Sequence, residues 1–404
     1  MKERPLYLDM WKELSASKAM VFLAGPRQAG KTTLSRQILK GFSNRVYFNW
    51  DLPTHKQLLL KEPAFFEAFG RKDASPPLVV LDEIHKYQRW KNYLKGIYDG
   101  YASRYRFLVL GSGRLNVFQR GGDSLAGRYF QFTLWPFTLA ELADRRRPFK
   151  DFLKNPLAVP DATGLERAWK RLSVLSGFPE PYLSGRETIY RRWASGYRQQ
   201  LIREDIRNAT EIKNIDDTDA LFSLLPSKVG SPLSMDSLAR DLQVSFNSVR
   251  NWLAVFEAFF LVFRIPPWAR KISRAIVKER KLYCCDPASV PLPAARFENM
   301  VALELLRAVS NWNELGLGDF ELHYVRNRQK EEVDFLISKA KMPFLLVETK
   351  MAEEHPTKSL LRFQTMLDVP AVQLVDRPGL YKVRSNGQQK ILIITASRWL
   401  AGLP

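Results

Sequence analysis

The sequence predicts an α/β fold in its first third, a helical middle, and a second α/β domain at the end. Three observations predict it. AMVFLAGPRQAGKTTLSRQIL (19–39) passes from an apolar strand through a glycine-bearing loop into a helix. PPLVVLDEIHK (76–86) is a second apolar strand, tipped by two carboxylates. Near the end, a helix is followed by short strands and then by Glu-x-Lys, in VETK (347–350). At 404 residues the chain is too long for one ordinary core, and two or three domains are expected.

The first stretch is G-x-x-x-x-G-K-T in the strand–loop–helix context that gives the pattern meaning. Gly25 and Gly30 let the backbone turn its N–H groups inward around phosphate oxygens. Lys31 reaches the β- and γ-phosphates, and Thr32, followed by Thr33, offers a hydroxyl to Mg2+. The helix start adds its dipole. ATP and Mg2+ are therefore the expected ligands. The acidic strand tip complements this loop: Asp82 would hold Mg2+, directly or through water, and Glu83 would orient and activate the attacking water. A third apolar strand, RFLVLGSGR (106–114), ends in Ser112. In an open parallel sheet its tip lies beside the phosphate loop, where Ser112 would sense the γ-phosphate. Asp51 ends the strand RVYFNW, and a structural and a functional reading of it stay equally open.

GPRQAGKTT, VVLDEIHK, LGSGR and SLAGRYFQFTLWPFTLAEL (124–142) together resemble the AAA+-type ATPases of bacteria and archaea that carry a C-terminal domain of unknown function. The resemblance covers the first ~145 residues and implies an additional-strand P-loop fold with Glu83 catalytic. It also makes Arg128, in LAGR, a candidate phosphate sensor, in cis or as an arginine finger from a neighbouring subunit. A packing arginine is the alternative. A homo-oligomer, of which a ring is one form, is implied by the family.

DRRRPFKDFLKNPLAVPDATG (144–164) is rich in Pro and charge and reads as a linker. A basic helix follows within 176–206. SMDSLARDLQVSFNSVRNWLAVFEAFFLVFRIPPW (234–268) reads as a helix-turn-helix with a wing, its helices opened by Ser234 and Ser245. The second helix carries one cation, Arg250, among apolar residues, which suits burial or a protein contact more than base reading. The basic stretch WARKISRAIVKERK (268–281) is the better candidate for phosphate contacts.

In the last third, RFENMVALELLRAV (296–309) is an amphipathic helix bearing Glu298. LHYVR, EVDFLIS and PFLLVETK read as successive strands, with a helix near 358–368. This order resembles the PD-(D/E)XK nuclease fold. The resemblance makes Glu298, Asp334 and Glu348 metal-binding carboxylates and Lys350 the group that stabilises developing charge. Cleavage stays open, because the same fold serves for binding alone, and Lys350 is itself a possible partner for the buried acid. The expected organisation is an α/β chain with a P-loop AAA+-type parallel sheet at 1–145, a helical connector at 146–215, a winged-helix-like domain at 216–280, and a nuclease-like α/β domain at 281–404.

Lys and Arg number 62 against 42 Asp and Glu, a net charge of +20. Such an excess points to a polyanion, with DNA favoured, over an anionic membrane, for which no amphipathic basic helix stands out. The charged N-terminus lacks a signal-peptide core, so a cytoplasmic protein is expected. Cys284 and Cys285 are adjacent and read as reduced thiols. The function expected is an ATP-hydrolysing motor or clamp on nucleic acid. The alternatives are a switch-type regulatory ATPase with protein partners, and an ATP-controlled metal-dependent nuclease.

Overall fold

The computed structural model describes residues 2–111, 113, 125–159, 164–207, 212, 214–269 and 279–404. Ser112 and most of the basic stretch 268–281 lie outside the described residues. The chain forms two compact units, Met1–Trp135 and Pro136–Pro404.

The first unit is a five-stranded parallel sheet in the order β2-β3-β4-β1-β5. Its strands are β1 (Met20–Ala24), β2 (Arg45–Asn49), β3 (Leu78–Asp82), β4 (Arg106–Leu110) and β5 (Tyr129–Thr133). Helices α1 (Pro5–Ser17), α2 (Lys31–Lys40), α3 (Pro53–Lys61) and α4 (Trp90–Tyr101) belong to the same unit. β1 and β3 are buried along their whole length, which is why they read as unbroken apolar runs. Edge strand β2 alternates instead. An aromatic-rich core of Phe22, Phe48, Phe66, Trp90 and Phe107 fills one face. Beyond β5 the chain runs past the first residue of the phosphate loop: Leu134 donates its N–H to the Ala24 carbonyl at 2.8 Å. Gly25 has φ +140°, and a Cβ there would collide with the Leu134 carbonyl oxygen. Only glycine serves at that position.

The second unit opens with helices α5 (Leu139–Ala143), α6 (Phe149–Lys154), α7 (Glu166–Leu175), α8 (Pro179–Ser184) and α9 (Glu187–Gln199), the last running on as a π-helix over Gln200–Ile206. The described part of 144–164 is not a free linker. Phe152 is buried against Trp312, Phe344 and Trp399, and Arg147 donates to the Asp151, Asn155 and Ala158 carbonyls. The charges that suggested a linker sit outside while the two phenylalanines between them turn inward. Next come α10 (Ile215–Leu224), α11 (Met235–Asp241), α12 (Phe246–Ala258) and an antiparallel pair, β6 (Val262–Ile265) with β7 (Lys281–Cys284). Ser234 and Ser245 cap α11 and α12 by accepting the Ser237 and Ser248 N–H groups.

The end of the chain is a mixed six-stranded sheet. Helix α13 (Pro293–Glu314) precedes an antiparallel meander of β8 (Phe320–Arg326), β9 (Glu332–Lys339) and β10 (Met342–Lys350). After α14 (Lys358–Leu367), β11 (Ala371–Val375) joins β10 in parallel, followed by β12 (Tyr381–Asn386), β13 (Gln389–Thr395) and α15 (Ala396–Leu400). The sheet order is β12-β13-β11-β10-β9-β8. Among the described residues no helix is long and apolar enough to cross a membrane.

Glu304 of α13 is buried and accepts the Leu139 N–H at the start of α5. Burial pushes its carboxyl up to about 7, against the pull of Arg307 and the backbone donors. The folded chain thus holds this proton more tightly than the unfolded one. Its contribution is full below about pH 4.5 and is lost as pH rises through about 7, by about 3 kcal/mol at most. Thermal melting across that window should show stability falling as pH rises, with a shallower fall in Glu304→Gln.

Candidate functional site

A parallel sheet turns all its carboxyl ends to one edge, and ligands bind there. β1 ends at Ala24 and releases the chain into Gly25–Gly30, whose last residue has φ +100° and starts α2 at Lys31. Lys31 is buried, and its Nζ donates to the Gly25 and Pro26 carbonyls at 2.9 and 2.7 Å, curled into its own loop. Thr32 and Thr33 occupy the first turn of α2, both half-buried. β3, one strand removed from β1 across β4, brings Asp82 to the same edge. Asp82 Oδ2 accepts from Thr32 Oγ1 at 2.8 Å and from Tyr47 OH at 2.7 Å. Burial raises the Asp82 carboxyl, with these two hydrogen bonds opposing. A hydroxyl and a carboxylate so joined are the hard oxygen donors that Mg2+ takes, directly or through water, so the residues present fit that ion.

Glu83 follows in a left-handed backbone conformation, φ 56°, unusual for a side chain of its kind and typical of functional turns. Burial alone would raise its carboxyl. The charges of His85, Lys86 and Lys31 outweigh that and hold it below the ordinary range, so it is ionised near neutrality. Lys86 Nζ lies 3.2 Å from Glu83 and 2.7 and 2.6 Å from the two Asp51 oxygens. The open reading of Asp51 therefore acquires a partner: it anchors the lysine that fixes Glu83.

Arg128 is placed elsewhere. It precedes β5, whose Tyr129 pairs with Met20, so it stands level with the amino end of β1. At about 3.3 Å per residue that is about 16 Å from the phosphate loop along the strand. Its guanidinium grips Asp99 of α4 with bonds of 2.8 and 3.1 Å. The sheet thus sets Arg128 away from its own nucleotide edge.

Three contributors escaped the motif search. Arg4 is buried and donates to the Ala29 and Trp135 carbonyls at 3.0 and 2.7 Å, bracing the phosphate loop from the N-terminal segment. Tyr47 holds Asp82 and Lys86 holds Glu83. Tyr47 alternates into the sheet edge from β2, which a period-two reading could have found. Nothing in MKERPLYL distinguishes Arg4.

The second unit gathers the remaining candidates. Lys281, read from sequence as part of a phosphate-contacting stretch, is instead 1 % exposed. Its Nζ lies 2.6 Å from Glu332, 3.1 Å from Glu298 and 3.6 Å from Asp334. Burial would depress the lysine, but Glu298, Asp334 and Glu332 raise it and keep it charged. Burial, then the charge of Asp334, pushes Glu298 up to about 7. Glu348 is likewise pushed up to about 7 by burial and Asp334, against Lys350 at 3.3 Å. Among the described residues no group of three or more His, Cys, Asp and Glu is placed to hold a metal ion. Cys284 and Cys285 are free and buried.

Residues 17–143 match a family described as an AAA domain, 166–291 a domain of unknown function (DUF8612), and 294–397 a domain of unknown function (DUF4143). The first unit has the P-loop ATPase fold, and this match supports an AAA+-type ATPase family. The chain is 23% identical over 340 residues to an uncharacterized protein of Mycobacterium tuberculosis (strain ATCC 25618 / H37Rv), covering 80% of this chain and 69% of the other. It is 26% identical over 308 residues to an uncharacterized protein of Methanocaldococcus jannaschii, covering 70% and 63%. Among solved structures it is similar to a Walker-type ATPase of Pyrococcus abyssi, with 13% identity, a TM-score of 0.46, and coverage of 72% of this chain and 95% of the other.

Lys86→Met removes a positive charge beside Glu83 and should raise the pKa of that carboxyl. The acid limb of an ATP-hydrolysis pH profile should move to higher pH. An unmoved limb would separate Glu83 from the rate-limiting protonation.

Proposed function

We propose that the chain is an ATP-hydrolysing AAA+-type protein that acts on nucleic acid, with DNA favoured, as a motor or clamp. The observation that carries the enzymatic part is the convergence of Lys31, Thr32, Asp82 and Glu83 at one sheet edge. Lys31 uncurls from its loop to meet the β- and γ-phosphates. Thr32 and Asp82 would hold Mg2+, which would supply charge neutralisation at the phosphates. Glu83, held ionised by Lys86, accepts a proton from the attacking water. Arg128 acts from a neighbouring subunit, which makes a homo-oligomer part of the proposal. Ser112, outside the described residues, remains the proposed γ-phosphate sensor.

The nucleic-acid part rests on α10–α12 and the β6–β7 pair, whose order is that of a winged helix. The apolar length of α12 is buried through Val249, Trp252, Leu253 and Phe256. Its N-terminal half is different. Asn247, Arg250 and Asn251 are exposed and, at i, i+3 and i+4, share one face. Arginine and asparagine are the side chains that pair bidentately with guanine and adenine edges in the major groove. This face favours base reading more than the sequence alone suggested. The net charge of +20 supports the same partner.

Steady-state ATP hydrolysis, with and without single-stranded, duplex and branched DNA, tests the reading. Stimulation by one form is expected. Lys31→Ala should abolish nucleotide binding or turnover, and Glu83→Gln should bind ATP while losing hydrolysis. Arg250→Ala should weaken DNA binding by about 1–3 kcal/mol with relaxed sequence preference. ATP turnover indifferent to every DNA, with no DNA bound, would replace this reading by a switch-type ATPase with protein partners.

A further inference from the structure

The nuclease-like order of α13, β9 and β10 implies a divalent metal among Glu298, Asp334 and Glu348. The side chains present do not fit one. Unlike Asp82, whose partners are neutral hydroxyls, Glu298 and Asp334 already share a cation of the chain itself, the Lys281 ammonium at 3.1 and 3.6 Å. Glu298 Oε1 accepts from Lys281 Nζ and, at 2.8 Å, from Tyr283 OH. Its other oxygen faces Gly230 so closely that a Cβ there would lie 2.8 Å from it. Asp334 Oδ2 accepts from the Thr349 N–H at 2.9 Å and its hydroxyl at 2.7 Å. Both oxygens of Glu348 lie within 3.0 Å of the Thr357 hydroxyl, which also caps α14.

We propose that the ammonium of Lys281 is the resident cation of this cluster, so that the C-terminal domain works without a divalent ion and is not a metal-dependent nuclease. The lysine is 1 % exposed and lies within 3.6 Å of three carboxylates on two different elements, Glu298 on α13 and Glu332 and Asp334 on β9. Arg326 supplies a second positive charge, 3.6 Å from Glu332. A buried acidic cluster needs a counter-charge, and an ammonium with its three donors can serve three acceptors at once. Lys281 stands on β7, which closes the pair with β6 behind α12. The same contact therefore fastens the end of that pair nearest its connecting segment to α13 and β9. Removing one partner of such a buried group leaves the others uncompensated, which makes the lysine a fixed part of the fold.

The test is a count of bound Mn2+ by electron paramagnetic resonance, on the full nucleotide-free chain carrying Asp82→Asn to silence the first unit. With Lys281 present, no Mn2+ site should depend on Asp334. Lys281→Met should gain a site at least about tenfold tighter than anything in its parent, and Asp334→Asn should remove it. Mn2+ bound by the Lys281 chain and released by Asp334→Asn would overturn the proposal, and so would a folded Lys281→Met chain that gains none. A second measurement covers the case in which Lys281→Met fails to fold. The unaltered chain should leave supercoiled plasmid intact in Mg2+ or Mn2+, and cleavage abolished by Asp334→Asn would also overturn it.

Discussion

The hydrogen bond from Thr32 to Asp82 is the contact on which the first unit turns. It joins the helix that follows the phosphate loop to the tip of a strand not adjacent to the loop's own. It forms because β1, β4 and β3 run parallel, with β4 between the other two. Each strand then delivers its last residue to the same edge. Gly25 is required by the same arrangement, since the chain leaving β5 passes directly over it. Tyr47 and Arg4 add outer support, one holding the acid and the other bracing the loop. Charge is left deliberately uneven there: Asp82 is pushed up by burial, while the cations around Glu83 hold it down. Two neighbouring acids thereby differ in how firmly each holds a proton.

The two units treat buried carboxylates in opposite ways. In the first, Asp82 is held by the neutral hydroxyls of Thr32 and Tyr47, and Lys31 is turned into its own loop. In the second, a lysine is driven into the carboxylate cluster and three elements close around it. One arrangement suits a ligand that comes and goes with a phosphate. The other suits a permanent joint. β6 packs against α12, the helix that exposes Asn247, Arg250 and Asn251, and its partner strand β7 carries Lys281.

Much of this was legible in the residues. Gly25, Gly30, Lys31 and Thr32 announce themselves because phosphate binding constrains the backbone as well as the side chains. Asp82 and Glu83 could be read because two acids at the tip of a fully apolar strand stand beside a phosphate-loop motif, although such a tip can also simply face solvent. Ser234 and Ser245 marked helix starts, since a hydroxyl at that position satisfies an orphan N–H. The order of α13, β8, β9 and β10 was also visible, as each alternates or runs apolar at its own period. What could not be read depends on contacts between distant segments. Lys281 closes a basic run and looks like surface, and only the pairing of β7 with β6 turns it inward. Arg128 shares a motif with the nucleotide residues, yet strand register sends it to the opposite edge. The segment after residue 144 looks like a linker by charge, while Phe149 and Phe152 pack against Trp312. Strands β11 to β13 complete the sheet without carrying any of the chemistry that drew attention to its first half.

The central claim is that Thr32 and Asp82 together form the metal-dependent half of a nucleotide site. Calorimetric titration of ATP into the full chain, with and without Mg2+, tests it most directly, in the unaltered protein and in Asp82→Asn. The account predicts that Mg2+ tightens ATP by about tenfold or more in the first and has little effect in the second. Equal tightening in both would contradict it, because the ion would then be held without the acid at the end of β3.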